Sequence, residues 1–568
     1  MKKKEIDIKS IFDWSVSENY LSIKKFKNET INKKYLKYFT NKNQFKNFNF
    51  VKKFTNKLLP KFHNDLNKYH NINFPDTYWR IITYNWIFLS ANLFYDYWNL
   101  VDLLDKNKKY RIYDVDEKFL NYRNSSDCNS QADHYHYWIV SEIIKYKNKL
   151  KYTEKKYTKK NLLKNIFYNK KFNLLESLIK YLNRFALLFS SPKIFIYNIG
   201  IKKKSTIFLY CKLNQIPAIW FPPNYKNTQK NLKNRESYFY KNKKNKNFDN
   251  FFNSIFFKII PNTFLEDFEH INLALNNFWP KKVKTIMTQS LRHFDILRIW
   301  AANMKMKKAK IYLLQHGGMY GMNKFFEGEE TDSLLADKFF TWGWKNNTKN
   351  VIPNFNLPFS VKKIKTCLKS RDKIIFCISS NSKYLTFIPG CFPRNNIQRL
   401  NKIFLVKKTL TGLTQKVRKK IVIRYNEKAY LNNHTTIPQK LFGQKFKYDN
   451  CSSELIEHLN NTKLVIHDTF STGWLETIFF NTPTVIIIDK EIEQFRSGFN
   501  KHLNRLIKCK IIHYNSSSLI SFVNSNYDNI DKWWNSDQVN TCVNLLKKEY
   551  IKESNQPLND LIKIFKKI

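Results

Sequence analysis

From about residue 190 the chain alternates short apolar runs with segments whose apolar residues recur at helical spacing. After a polar link at 345–362 the alternation begins again. Strand–helix–strand alternation closes as a parallel sheet with helices on both faces, because each crossover must return the chain to the same end of the sheet. The pattern therefore predicts two successive α/β units of Rossmann type. Strands are expected at 193–197, 206–211, 217–221, 283–288, 310–314 and 338–342 in the first, with a helix on which Leu291, Phe294, Leu297, Ala301 and Met304 share a face. In the second they are expected at 373–378, 420–424, 464–467, 484–488 and 510–513. Upstream, Trp79, Ile82, Trp86, Leu89 and Leu93 keep three- and four-residue spacing, so residues 1–190 read as mainly helical. Asn- and Lys-rich pieces at 152–160 and 226–247 read as exposed loops or insertions. The expected division is 1–190, 191–350 and 363–568.

Composition narrows the function classes. A chain of 568 residues with 43% apolar and 16% aromatic content can build several cores and is not disordered as a whole. Its formal charge is 99 − 45 = +54. Only 14 of the 99 basic residues are Arg, whereas readers of nucleic acid lean on the Arg fork. The dispersed lysines suit weak, salt-sensitive attraction to anionic surfaces, such as the inner face of a cytoplasmic membrane, and no specific nucleic-acid partner. Eight Cys without a CxxC pair argue against a zinc ribbon or a disulfide framework and suit a reducing cytoplasm. The first residues lack the apolar run of a signal peptide. The longest apolar stretch, 174–199, is interrupted by Lys180, Arg184 and Lys193, so no transmembrane helix is expected.

Glycine is scarce here and therefore informative. Of 11 Gly, five (Gly317, Gly318, Gly321, Gly328, Gly343) fall within 27 residues. The segment Gln315-His316-Gly317-Gly318-Met319-Tyr320-Gly321 follows an expected strand, at the sheet end where open α/β folds bind ligands. Paired glycines let backbone N–H groups converge on an anion, and His316 can act as general base or donate to a phosphate. The plainer alternative is a tight turn capped by a histidine. Gln315, Gly317, Gly318, Tyr320 and Arg292 are the acceptor- or anion-binding candidates. Glu329, in the acidic run 327–330, is the rival base; the run can otherwise orient a sugar hydroxyl or simply form a solvated acidic turn.

A second site follows the strand at 464–467. Asp468 ends it, Ser471 and Thr472 supply hydroxyls, and a helix begins near Gly473. Unpaired N–H groups at a helix start favour phosphate. Glu476 lies one turn in, able to accept from ribose hydroxyls or simply to complement the helix dipole. Arg424, at the end of its own strand, can fork onto a diphosphate or form a surface ion pair.

The motifs Gln315-His316-Gly317-Gly318 with Tyr320-Gly321, Glu329, Asp337 and Trp342-Gly343-Trp344, then Asp468 to Glu476 and Pro483-Thr484, resemble a family of transferases from bacterial O-antigen and surface-carbohydrate gene clusters. More loosely, the second half is similar to GT-B glycosyltransferases and to capsule and teichoic-acid polymerising transferases. The resemblance implies a GT-B-like fold and transfer of a sugar from a nucleotide-sugar donor to a lipid-linked or oligosaccharide acceptor. It implies no cofactor and no bound metal. Polyol-phosphate or phosphosugar transfer is the alternative within the class, and nucleic-acid binding the alternative outside it. His316 and Glu329 are then the catalytic candidates, with Arg424, Asp468, Ser471, Thr472, Gly473 and Glu476 as the donor set.

Overall fold

The computed structural model describes residues 5–12, 38–120, 122–126, 132–158, 174–216, 218–240, 245–364, 371–380, 383–385, 396–432, 436–490 and 492–566. In the N-terminal region, strands β1 (Ile6–Asp7), β2 (Lys109–Asp114) and β3 (Lys151–Lys156) form a small parallel sheet. It accompanies the helices Asn41–His70, Asp76–Asp102 and Asp133–Lys147. The helical reading of this region thus holds with a correction: β3 occupies a segment expected to be a loop. A solvent-facing edge strand needs backbone partners more than apolar side chains, so its Lys-rich sequence hides it. The expected 226–247 loop is also corrected, because it contains the helix Leu232–Phe239. There Arg235 is buried against Glu266 and the Ile260 carbonyl.

The first large sheet runs β4 (Ile194–Tyr197), β5 (Thr285–Thr288), β6 (Lys310–Leu314), β7 (Lys338–Thr341) and β8 (Val351–Pro353), parallel and in chain order. Two expected strands are absent from it. Residues 206–211 belong to the helix Lys203–Lys212, and 218–221 are irregular, with 217 outside the described residues. A six-residue apolar run cannot be told from a helical turn by periodicity alone. The expected link contains β8 and the short helix Leu357–Ser360.

The second large sheet comprises β9 (Lys373–Ile378), β10 (Ile421–Tyr425), β11 (Lys447–Asp449), β12 (Thr462–His467), β13 (Thr484–Ile487) and β14 (Ile512–His513). All pairings are parallel, in spatial order β11-β10-β9-β12-β13-β14. The strand order reverses between β9 and β12, which opens a crevice at their carboxyl ends. The protein is therefore α/β, with two Rossmann-like sheets and a helix-rich N-terminal region.

One hydrophobic core joins the N-terminal helices to the first sheet and reaches Trp474 in the helix Thr472–Phe479 of the second. The chain crosses between the sheets twice. It leaves the first after β8 and returns through the helix Asp537–Tyr550 to the helix Pro557–Lys566, whose Leu561 and Phe565 pack with Ile194 and Ile196 of β4. The crossings are bonded together, with Asn356 N donating to the Lys552 carbonyl at 2.7 Å and Ser554 N to Ser360 Oγ at 3.1 Å. No helix among the described residues is long and apolar enough to cross a membrane.

Candidate functional site

β6 delivers Gln315 and His316 to the mouth of the first sheet. Gln315 is fully buried and its amide is used internally. Nε2 donates to the Gly317 carbonyl at 2.8 Å, while Oε1 accepts from Trp342 N at 2.9 Å and Trp344 Nε1 at 2.7 Å. It shapes the turn that presents His316. The imidazole is held on both sides: Nε2 lies 2.8 Å from the Arg292 guanidinium and Nδ1 lies 3.0 Å from the Tyr320 hydroxyl. A guanidinium can only donate, so Nε2 is the acceptor and the ring proton is assigned to Nδ1. Tyr320 in turn donates to Asp332 Oδ2 at 2.6 Å. Burial, the Arg292 charge and neighbouring His293 push the His316 pKa down to about 3, so the ring is neutral. Burial raises Asp332 to about 6 against the opposing Arg292 charge. Arg292 also pairs with Glu327 at 2.6 Å.

The paired glycines serve close approach. A Cβ on Gly318 would stand 3.0 Å from the Ser471 carbonyl oxygen, and Gly318 N donates to Thr472 Oγ1 at 3.0 Å. The glycine turn therefore touches the start of helix Thr472–Phe479. Gly328 makes similar room at the other side, where a Cβ would meet the Arg292 guanidinium at 2.9 Å.

At the second sheet's mouth, Asp468 lies at the strand-order reversal. It accepts from Ser379 N at 3.0 Å and stands 3.5 Å from Lys402 Nζ. Burial raises its pKa, with the Lys402 charge opposing. Next to it Glu493 accepts from Thr469 Oγ1 at 3.0 Å and Phe470 N at 3.3 Å, and burial pushes it up to about 7. Ser471 caps the helix without a side-chain cap bond, Thr472 faces Gly318, and Gly473 packs against His467.

Other candidates are engaged within the fold. Glu476 pairs with Lys362 at 3.0 Å. Arg424 stands two strands from β12, its guanidinium bonded to Asp449 and the Ser453 carbonyl. Glu329 accepts from Gly321 N at 2.7 Å and pairs with Arg496 at 3.0 Å, tying the first sheet's mouth to the second half. Among the described residues, no group of three or more His, Cys, Asp or Glu is placed to hold a metal.

A family model described as LIC12162 family transferase matches residues 15–565. The chain belongs to the LIC12162 family of transferases. No curated protein matches it. Among solved structures, this transferase is similar to a spinosyn rhamnosyltransferase, SpnG, at 9% identity over 53% of this chain and 77% of that one, with a TM-score of 0.30. Another is the wall teichoic acid polymerase TagF, at 9% identity over 69% and 96%, TM-score 0.33. A third is the UDP-N-acetylglucosamine 2-epimerase from Rickettsia bellii, at 13% identity over 66% and 97%, TM-score 0.35.

Within this LIC12162-family transferase, sequence reasoning missed Asp332, Lys402, Glu493 and Arg496. Asp332 had a weak signal, lying three positions after Glu329 on the helix Glu327–Leu335. The others meet their partners only through tertiary folding.

Proposed function

We propose that the chain is a GT-B-like glycosyltransferase that moves a sugar from a nucleotide-activated donor to a surface-polysaccharide or O-antigen acceptor, lipid-linked or oligosaccharide. The donor lies at the second sheet's mouth and the acceptor at the first. The observation that carries this reading is the juxtaposition of the His316 turn with the start of helix Thr472–Phe479, joined at 3.0 Å between Gly318 N and Thr472 Oγ1. A donor phosphate at that helix start lies beside the imidazole and needs no bound metal.

In the proposed step the acceptor hydroxyl oxygen attacks the anomeric carbon. The carbon–oxygen bond to the phosphate breaks, its electron pair leaves with the nucleotide, and the hydroxyl proton passes to His316 Nε2. In the free protein that lone pair is occupied by Arg292. An arriving phosphate draws the guanidinium away and neutralises its charge, which is second only to burial in depressing the imidazole. The base is thereby activated only when the anionic donor is in place. Tyr320 and Asp332 hold Nδ1 protonated throughout, a positioning role. Glu329, held by Arg496 and Gly321, leaves the base role to His316.

The test combines a nucleotide panel (CMP, CDP, UDP, GDP) in thermal shift with product analysis of wild type and His316→Ala. A bound nucleotide at 100 times its Kd should add about 2.7 kcal/mol. His316→Ala should keep that shift and lose about 10²–10⁴ in transfer rate. Near-normal turnover in a folded His316→Ala protein would remove the histidine from the step. A phosphodiester product would replace sugar transfer with phosphosugar transfer.

A further inference from the structure

The helix Leu174–Phe189 lies with its polar side inward. Lys180 and Asn183 are buried, Lys180 pairing with Glu176 at 3.0 Å and Asn183 donating to the Ile219 carbonyl at 2.9 Å. Facing out along one stripe are Leu174, Leu178, Leu182, Phe185, Leu188 and Phe189, from 54% exposed at Leu178 to 76% at Phe189. At 100° per residue these six positions fall within about 120° of arc, a continuous apolar face. Exposed large apolar side chains in such a row mark an interaction surface, since isolated ones are ordinary and contiguous ones are not.

The charge around this face selects the occupant. Between 174 and 212 the sequence holds seven basic residues and one acid, Glu176, which is already paired. Lys202, Lys203 and Lys204 are exposed at the start of the helix Lys203–Lys212, and that helix also exposes Ile207 and Phe208. Lys203 Nζ lies 5.0 Å from the Phe221 ring centroid, on the 219–221 segment that accepts from the inward-facing Asn183, so the basic cluster adjoins this helix, whose own Arg184 is exposed. Apolar side chains beside lysines match an anionic bilayer surface, where the former enter the headgroup boundary and the latter meet lipid phosphate.

We propose that the outward face of helix Leu174–Phe189 docks the protein on an anionic bilayer. The same helix leads to the acceptor side of the cleft. The chain runs from it into β4, whose last residue, Tyr197, has its ring 6.0 Å from Phe294, two positions from Arg292. Docking there brings the His316 mouth to the headgroups, where a lipid-linked acceptor presents its sugar. This last consequence rests on the proposed transfer reaction; the docking itself does not.

The experiment measures co-sedimentation of the full chain with phosphatidylcholine vesicles and with vesicles containing about one-third phosphatidylglycerol. Wild type should bind the anionic vesicles and weaken with salt. A Leu178→Glu, Leu182→Glu, Phe185→Glu variant changes only exposed positions and should keep its thermal midpoint while losing about tenfold or more in vesicle affinity. A Lys202→Ala, Lys203→Ala, Lys204→Ala variant should lose most of the preference for anionic over neutral vesicles. Equal binding by wild type and the glutamate variant would overturn the proposal, as would no wild-type preference for anionic vesicles. A dimer in light scattering that the glutamate variant dissolves would assign the face to a second copy instead. Nucleotide thermal shift of wild type separates the two readings, because its absence would sink the donor site while leaving the vesicle result standing.

Discussion

Glu493 is buried beside Asp468 and Lys402, and its pKa near 7 makes a residue-scale prediction possible. An unfolded glutamate titrates near 4.3. Between about pH 4.5 and 7 the folded state keeps a proton that the unfolded chain has lost, so stability is complete below that window and falls as pH rises through it. The full effect is on the order of 4 kcal/mol. Glu493→Gln should therefore flatten the fall. Buried His467, pushed down to about 3, acts the opposite way by losing stability as pH drops below about 6.5, but it is common to both proteins. Thermal midpoints of wild type and variant across pH 4–8 give the difference directly, and parallel curves would remove Glu493 as its source. Legibility at this scale follows the same division. His316 could be found because glycines crowd around it in a chain that has few. Glu493 lies in a run of ordinary polar residues, and only the fold gives it Asp468 and Lys402 as neighbours. Gln315 is visible in the sequence as well, but only the fold shows that both ends of its amide are bonded internally.

At the scale of elements, nine of the eleven strands of the two large sheets fall in segments where the sequence predicts a strand. β6, β9, β12 and β13 carry unbroken buried apolar runs, and their carboxyl ends were placed within a residue or two. β8 and β11 are three residues each, too short for periodicity to register. The run 206–211 misleads because Ile207 and Phe208 are exposed while Leu209 and Tyr210 are buried, a division that belongs to a helix. Strand pairing also changes the meaning of Arg424. Its register partner on β11 is Asp449, so the strand ladder itself brings the two charges together. Removing one member of a buried pair leaves the other uncompensated. Arg424→Ala should thus lower unfolding free energy by about 3–5 kcal/mol, read by denaturant titration, with nucleotide affinity in the surviving folded protein nearly unchanged. A stable variant with a large loss of nucleotide affinity would return Arg424 to the donor site.

Polar contacts supplement the shared hydrophobic core in joining the two halves across the cleft. Arg496 donates to both oxygens of Glu329 at 3.0 Å and to the Asn323 carbonyl, while Lys324 N donates to the Gln494 carbonyl at 3.0 Å. Burial raises the Glu329 pKa and Arg496 opposes it. Arg496→Ala leaves that carboxyl buried without its cation, and because Arg496 is itself partly exposed the cost should be about 2–3 kcal/mol. Arg496→Lys should recover part of it. Calorimetry would decide, with an unchanged midpoint in Arg496→Ala ruling out the clasp. The paired crossings, Asn356 to Lys552 and Ser360 to Ser554, have a further mechanical consequence. Two covalent strands fastened side by side act as a door hinge: they permit rotation about one line and resist sliding or twist. The Arg496–Glu329 contact lies near the same crossings, with Arg496 6.0 Å from the Trp344 ring, so it steadies that line, and the axis for a swing of one sheet against the other is written into the backbone.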